Sequence, residues 1–332
     1  MKALVTGAAG FIGSHLVDKL LSNQYTVVGL DNLSVGRISN LSSAIKNPNF
    51  TFLNSNVEDI SKHDLGSQEI DVCFHLAGMA DIIPSILNPR IYMDSNVSGT
   101  IAIMEYARLN NIKKVIYAAS SSCYGIPDTY PTSESANCDP KYPYALSKYL
   151  GEQIVLHWAQ VYKIPSISLR LFNVYGPRSR TSGTYGAVIG VFLAQKIANV
   201  PLTIVGDGTQ TRDFTYVSDV VDAFFLASTS KIGYGIFNVG SGNTYSINEL
   251  AELIGGLKVH IPKRPGEPDS TYANINEIFS KLGWEPKVTF KEGMKMVLSK
   301  ISEWSDAPVW SEKDIEKETS EWFRLLKGHN EN

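Results

Sequence analysis

The chain has 332 residues, 43 % apolar and 19 % charged, a composition that can bury a sizeable core and excludes global disorder. Thirty Lys and Arg stand against 33 Asp and Glu, a net charge of −3, which excludes a strongly basic phosphate-backbone binder. Cys73, Cys123 and Cys138 form neither an even framework nor a CxxC pair, so neither a disulfide scaffold nor a zinc ribbon is expected. The apolar run at 3–5 is too short for a signal peptide, and no stretch reaches the roughly 18 apolar residues of a spanning helix. The expectation is a soluble protein of a reducing compartment, the cytoplasm. At about 150 residues per domain, the length suggests about two domains, or one large α/β unit with an attachment.

The elements alternate from the start. Residues 2–6 form a short apolar run that stops at Gly7, and 11–22 show helical spacing through Phe11, Ile12, Leu16 and Leu20. A β-branched run at 26–30 ends at Asp31. Further strands are expected at 50–53, 72–76, 114–119 and 166–169, separated by helices of which 97–110 and 144–162 are the clearest. Strands apolar on both faces that alternate with helices imply a parallel sheet covered on both sides. After about residue 175 the pattern changes. Gly, Pro, Ser and Thr cluster at 176–186 and 205–211, and a Pro-rich run occupies 262–268. Shorter helices at about 187–199, 246–254 and 289–302 alternate with brief strands, as in a smaller, loop-rich second lobe. The last 30 residues carry Trp304, Trp310 and Trp322 among charges. They read as amphipathic helices docked on the body or on a partner.

Gly7-Ala8-Ala9-Gly10-Phe11-Ile12-Gly13 follows the first strand and opens the first helix. Glycines there permit a tight turn and bring backbone N–H groups to a pyrophosphate at a helix N-terminus, where the dipole favours anions. Asp31, at the end of the second strand, can accept from both ribose hydroxyls and repel a 2′-phosphate. Together these point to NAD rather than NADP.

Tyr144 and Lys148 stand four apart, on one face of a helix. At about 5 Å and an effective dielectric near 20, an ammonium would stabilise a phenolate by roughly 3 kcal/mol, about two pKa units. A phenol brought from about 10 towards 8 suits general-base work. Ser120, Ser121 and Ser122 follow the expected strand at 114–119, and sites of open α/β sheets form at strand carboxyl ends. Their hydroxyls can hold a sugar hydroxyl or ketone beside the tyrosine.

These residues, taken with the ordered motifs around them, resemble the extended short-chain dehydrogenase/reductase family, and within it the NAD-dependent nucleotide-sugar 4-epimerases. The motifs are TGAAGFIGSHL (6–16), DNLS (31–34), HLAG (75–78), NVSGT (96–100), SSSCYG (120–125), YPYALSK (142–148), RLFNVYGPR (170–178), GDGTQTRDFTYVSDV (206–220) and RPGE (264–267). The implied α/β fold is a Rossmann-type doubly wound parallel sheet with a smaller α/β substrate-binding lobe. The NAD domain would span 1–172 with parts of 213–240, the lobe 173–302, and a helical extension 303–332.

The resemblance assigns Gly7, Gly10, Phe11, Ile12 and Gly13 to the NAD pyrophosphate, and Asp31, Asn32 and Ser34 to the adenosine ribose. Asn56 and Val57 fall at the adenine, Leu76, Ala77 and Gly78 on the path to the nicotinamide, and Asn96 supports that path. Tyr144, Lys148 and Ser120 are the catalytic group, with Lys148 on the nicotinamide ribose and Ser121 and Ser122 as further sugar contacts. Asn173, Ala187, Val188, Arg212, Arg264, Glu267 and Thr271 would bind the nucleotide sugar. The two arginines would pair with the phosphates, and Glu267 would hold the nucleotide ribose.

Three positions depart from the family pattern. Asn56 replaces an adenine-binding Asp, Leu171 an aromatic, and Thr271 a bulky tyrosine that confines some members to plain hexoses. A small Thr271 leaves room for a 2-acetamido group, and the run 183–189 resembles epimerases of N-acetylated or uronic sugars. The implied reaction is C4 epimerisation of a UDP-hexose or UDP-N-acetylhexosamine through a 4-keto intermediate, supplying polysaccharide or glycan precursors. UDP-glucuronate 4-epimerisation and the family's 4,6-dehydratase or reductase chemistry are the alternatives. The dehydratases need an Asp-Glu pair where Ser121 and Ser122 stand, and Cys123 is offset by one residue from the cysteine of reductases and 3,5-epimerases. A scaffold that only senses NAD would have no need of Tyr144, Lys148 and Ser120 together. His15 and His75 read as structural, and no histidine pair has metal-ligand spacing. Ile101, Met104 and Ala107 on one helix, and Val155, Trp158 and Ala159 on the other, read as core. The resemblance implies that the two helices pair with a second subunit in a four-helix bundle, giving a homodimer.

Overall fold

The computed structural model describes residues 1–63, 65, 69–179 and 187–326. Seven strands make its main sheet: β1 (Lys2–Thr6), β2 (Thr26–Asp31), β3 (Phe50–Asn54), β4 (Val72–His75), β5 (Val115–Ser120), β6 (Ser166–Leu171) and β7 (Tyr234–Val239). Their order is β7-β6-β5-β4-β1-β2-β3, and every pairing is parallel. The chain winds outward from β1 in both directions, so the sheet is doubly wound.

Successive side chains of a strand face opposite ways, and β1 uses both faces. Ala3 and Val5 join one core with Leu16, Phe74 and Phe224, while Leu4 joins another with Val28, Ile103, Met104, Tyr117 and Val155. The first core lies under α1 (Phe11–Ser22), the second under α2 (Gly99–Leu109) and α3 (Pro143–Tyr162). This double burial explains the unbroken apolar runs in the sequence.

Beyond β6 the chain leaves the sheet, and α4 (Val188–Ile197) follows. It returns through α5 (Val217–Thr229), which packs on α1, and then adds β7 to the sheet edge. Two-residue to four-residue strand pairs build the lobe: Leu202–Val205 with Lys258–Ile261, and Thr211–Arg212 with Tyr245–Ser246. Helices α6 (Ile247–Ile254) and α7 (Phe290–Ser299) each open on a capping box, Ser246 with Glu249 and Thr289 with Glu292. Leu202, Ile204, Phe214, Leu250, Phe290 and Met294 continue the first core into the lobe. The last element, α8 (Glu312–Leu326), buries Ile315, Thr319 and Trp322 on one stripe. It docks on the chain's own body, which settles the choice left open by the sequence.

Local differences from expectation are small and have causes. The helix expected from residue 97 starts as a π-helical turn, Asp94–Ser98, which runs on into α2. β4 ends at His75 rather than 76, because Leu76 and Ala77 turn to donate their N–H groups to the Thr6 hydroxyl at 3.2 and 3.1 Å. The glycine-rich run 176–186 and the run 183–189 fall partly on 180–186, outside the described residues.

Candidate active site

The carboxyl ends of β1, β2, β4 and β5 open on a single cleft of about 1080 Å³, closed on its far side by the lobe. This is above the ~300–1,000 Å³ of an ordinary small-molecule pocket.

One half of the cleft is built on glycine. Gly7 has φ +69°, and a Cβ there would lie 2.8 Å from Ala77 N; a Cβ on Gly13 would lie 2.1 Å from Gly7 O. Both positions therefore require glycine for the turn and for the close approach of α1 to it. No side chain caps the N-terminus of α1, and Phe11 and Ile12 line the cleft there, so the first-turn N–H groups can serve an anion. Asp31 is buried and accepts from Ala9 N at 3.0 Å and Leu33 N at 2.8 Å. It fastens the glycine turn while lining the cleft. Burial pushes its carboxyl above the ordinary range, against the pull of these N–H groups. Asn32 donates to Asn56 Oδ1 at 2.8 Å, and Ser34 donates to Asn32 Oδ1 at 2.7 Å. This half suits a dinucleotide whose pyrophosphate lies at α1 and whose ribose meets Asp31.

The middle of the cleft holds the hydroxyl cluster. Tyr144 donates to Ser120 Oγ at 3.2 Å, Ser122 N donates to the same oxygen at 3.2 Å, and the Ser120 and Ser122 hydroxyls lie 2.8 Å apart. With both acceptor positions of Ser120 taken, its one proton is free for Ser122. The cluster is then a directed chain, Tyr144 to Ser120 to Ser122. Beneath it, Arg170 meets Glu152 at 2.6 Å with both side chains buried. Arg170 also donates to Tyr124 Oη at 2.9 Å, and Tyr124 donates to Asn238 at 2.7 Å. This network ties the turn Ser121–Tyr124 to β6 and β7.

The far half carries charge. Arg212 Nη2 meets Glu267 Oε1 at 2.9 Å, and Arg264 Nη1 lies 3.7 Å from Glu267 Oε2. Arg212 is 7 % exposed. Its neighbour Asp213 is buried and accepts from Ala273 N and Ser241 N, at 3.0 and 2.5 Å, which fixes this strand in the lobe. The Thr271 hydroxyl donates to Asn173 Oδ1 at 2.8 Å and accepts from Asp213 N at 3.0 Å. Two guanidiniums sharing one carboxylate leave a net positive end, as a diphosphate requires.

Of the residues singled out from the sequence, all but Asn96 and Lys148 line this cleft. Asn96 is buried behind it; it accepts from Met79 N at 2.7 Å and donates to Ser147 Oγ at 2.8 Å. It shapes the loop after β4 rather than reaching the cleft. Lys148 stands behind the same wall, its Nζ 4.4 Å from the centre of the Tyr117 ring. Burial lowers its pKa to about 7.

The expected lowering of the Tyr144 phenol is not found. Burial pushes it above its ordinary value of 10, with the Ser120 hydrogen bond opposing. The Lys148 ammonium is drawn against the Tyr117 ring. Met104, Ala107, Val155 and Ala159, read from the sequence as core, are buried in the chain's own core. The exposed apolar residues on these helices are Ile101, Leu109, Leu146, Leu150, Val161 and Tyr162.

Both histidines are structural. His75 is buried between the Thr6 and Thr100 hydroxyls, at 2.7 and 3.0 Å, and His15 bonds to Pro177 O at 3.0 Å. Cys123 is buried with Cys138 beside it, and their mutual hydrogen bond is the leading cause that raises the Cys123 thiol and lowers that of Cys138. Sequence reasoning missed Tyr142, Trp310 and Trp322, which line the cleft, and the Glu152–Arg170 pair. The pair had a signal in the sequence, a Glu and an Arg inside otherwise apolar elements. The aromatics had none beyond their type.

A parallel doubly wound sheet with a glycine turn, an acidic residue ending β2 and a Ser–Tyr pair at β5 defines a dinucleotide-dependent enzyme of the short-chain dehydrogenase/reductase type. Residues 3–240 match the model of the NAD dependent epimerase/dehydratase family, and the chain belongs to that family. It is 39 % identical over 303 residues to a UDP-glucose 4-epimerase of Mycolicibacterium smegmatis, covering 89 % of this chain and 96 % of that protein. A solved UDP-glucose 4-epimerase of Thermotoga maritima, with UDP-glucose, superposes with a TM-score of 0.83 at 33 % identity, covering 91 % of this chain and 99 % of the other. A UDP-glucuronic acid 4-epimerase of Bacillus cereus, with UDP-glucuronic acid and NAD, gives 0.83 at 31 % identity over the same shares.

Proposed function

We propose that this chain interconverts the C4 epimers of a UDP-linked hexose or N-acetylhexosamine. The observation that carries the reading is the single cleft in which the directed chain Tyr144–Ser120–Ser122 lies between an uncapped helix N-terminus and the Arg212–Glu267–Arg264 cluster. The first end fits NAD and the second a nucleoside diphosphate, so the sugar falls at the hydroxyls.

NAD supplies a hydride acceptor and donor when bound. Tyr144, as the phenolate that the positive charge of a bound nicotinamide would favour, takes the proton from the sugar 4-hydroxyl. Once Tyr144 no longer donates to it, Ser120 turns its one proton from Ser122 to the sugar oxygen as that oxygen becomes a ketone. After the ring presents its other face, Tyr144 returns the proton. Arg212 and Arg264 retain the diphosphate throughout, so the 4-keto sugar stays in the cleft while it turns. Lys148 and Asn96 act from behind the wall, Lys148 at the nicotinamide ribose and Asn96 on the loop after β4. Thr271, small and bonded to Asn173, leaves space for a 2-acetamido group.

Purified protein given UDP-glucose, UDP-N-acetylglucosamine or UDP-glucuronate without added NAD tests this. The C4 epimer of one of them is expected; a product lighter by one water, or no product, would refute the reading. The Bacillus cereus neighbour favours UDP-glucuronate as the second reading, and the same panel separates it. We further propose a homodimer acting in the cytoplasm. The exposed Ile101, Leu146, Leu150 and Val161 on α2 and α3 support the pairing, and a monomer mass by light scattering at micromolar concentration would reject it.

A further inference from the structure

The helix α8 reaches both walls of the cleft. On one side it packs against the short helix Ile82–Leu87, which follows β4 in the NAD half. On the other, the Trp322 indole donates to Pro265 O at 2.7 Å, and the Arg264 guanidinium stands 5.8 Å from the centre of the same ring. Trp322 is 2 % exposed and lines the cleft. Its ring lies 6.3 Å from that of Tyr142, which stacks parallel to Tyr144 at 6.5 Å. Residues 262–268, which carry Arg264 and Glu267, form neither helix nor strand. Their placement therefore depends on side-chain and tertiary contacts rather than on a ladder.

We infer that α8 is a clasp across the cleft, and that Trp322 is a positioning residue which holds the Arg264–Glu267 segment where it can receive the diphosphate of the nucleotide sugar. The inference rests on the nucleotide-sugar reading above and adds to it a residue from the last helix. An indole suits the task for two reasons. Its face attracts the guanidinium, and its N–H anchors the backbone one residue further on. Both contacts fall on one short segment, so a single side chain fixes where Arg264 points and where Glu267 meets Arg212. The contacts that place Trp322, to Tyr142, Pro265 and Arg264, do not include Gly7, Gly13 or Asp31.

Trp322→Ala and Trp322→Phe, made in the full chain, test the clasp. The readouts are UDP affinity by calorimetry, KM and kcat on the epimerised sugar, NAD retained on purification, and Tm. Trp322→Ala should weaken UDP binding and raise KM about tenfold or more, equivalent to ~1.4 kcal/mol, with kcat changed less than KM and NAD retained. Trp322→Phe keeps a ring against Tyr142 and Arg264 but loses the bond to Pro265, and should fall between Ala and the parent. Unchanged UDP affinity in Trp322→Ala overturns the inference. So does a loss of UDP affinity that, in both variants, merely tracks lost NAD and lowered Tm. Failure of the parent enzyme to bind UDP would instead refute the nucleotide reading, and the clasp with it.

Discussion

Replacing Tyr144 by Phe removes one oxygen, and the structure allows its consequences for folding and for chemistry to be separated. The hydroxyl makes one hydrogen bond, to Ser120 Oγ at 3.2 Å. Ser120 keeps the Ser122 N–H at 3.2 Å and the Ser122 hydroxyl at 2.8 Å, so the change leaves no buried group without a partner. A neutral hydrogen bond contributes about 0.5–1.5 kcal/mol net, and removing a partly buried hydroxyl recovers part of that. The ring keeps its contacts with Tyr92 and Tyr142, at 6.4 and 6.5 Å. Stability should thus fall by less than about 1 kcal/mol. The chemical loss is larger, because Tyr144 is the group proposed to take the 4-hydroxyl proton. General acid–base catalysis contributes about 10²–10⁴-fold, roughly 3–5 kcal/mol of barrier. The assay is C4-epimer formation resolved by anion-exchange chromatography, with retained NAD and UDP affinity measured on the same preparation. Turnover lower by 10²–10⁴-fold with both ligands still bound is expected. Turnover within about tenfold of the parent, or a loss explained by missing NAD, would refute the assignment of Tyr144 as the base.

Three further outcomes follow from particular contacts. Lys148 titrates near 7 in the folded chain and near 10.5 when exposed, so the unfolded chain binds more protons between those values and stability rises with pH across that window. Lys148→Met should therefore stabilise the cofactor-free protein most below pH 7, the gain fading towards pH 10.5, while activity falls; urea unfolding that shows no pH-dependent gain would contradict this. Glu152→Gln leaves Arg170 buried against a neutral partner and should cost about 3–5 kcal/mol, read as a lowered urea midpoint; a change below 1 kcal/mol would show the network to be dispensable. Thr271→Tyr should reduce kcat/KM for UDP-N-acetylglucosamine more than for UDP-glucose. An equal fall on both sugars would trace the effect to the lost Asn173 bond rather than to the space beside the acetamido group.

The sequence by itself determined the alternation of elements, the glycine turn and the shared helical face of Tyr144 and Lys148. Each is set by local rules: a strand buried on both faces must be apolar throughout, a left-handed turn pressed on a backbone must be glycine, and the i, i+4 spacing of a helix fixes one face. The family resemblance then supplied the lobe residues, whose separation along the chain hides their proximity. Only the tertiary structure decided where the charges act. Lys148 shares a helical face with Tyr144, yet its ammonium lies against the Tyr117 ring, and burial, which no spacing reveals, pushes the phenol up. Trp322 lies 180 residues beyond Tyr142 in the chain and beside it in space. That contact depends on how α8 crosses the cleft, a long-range packing outcome that no local pattern encodes.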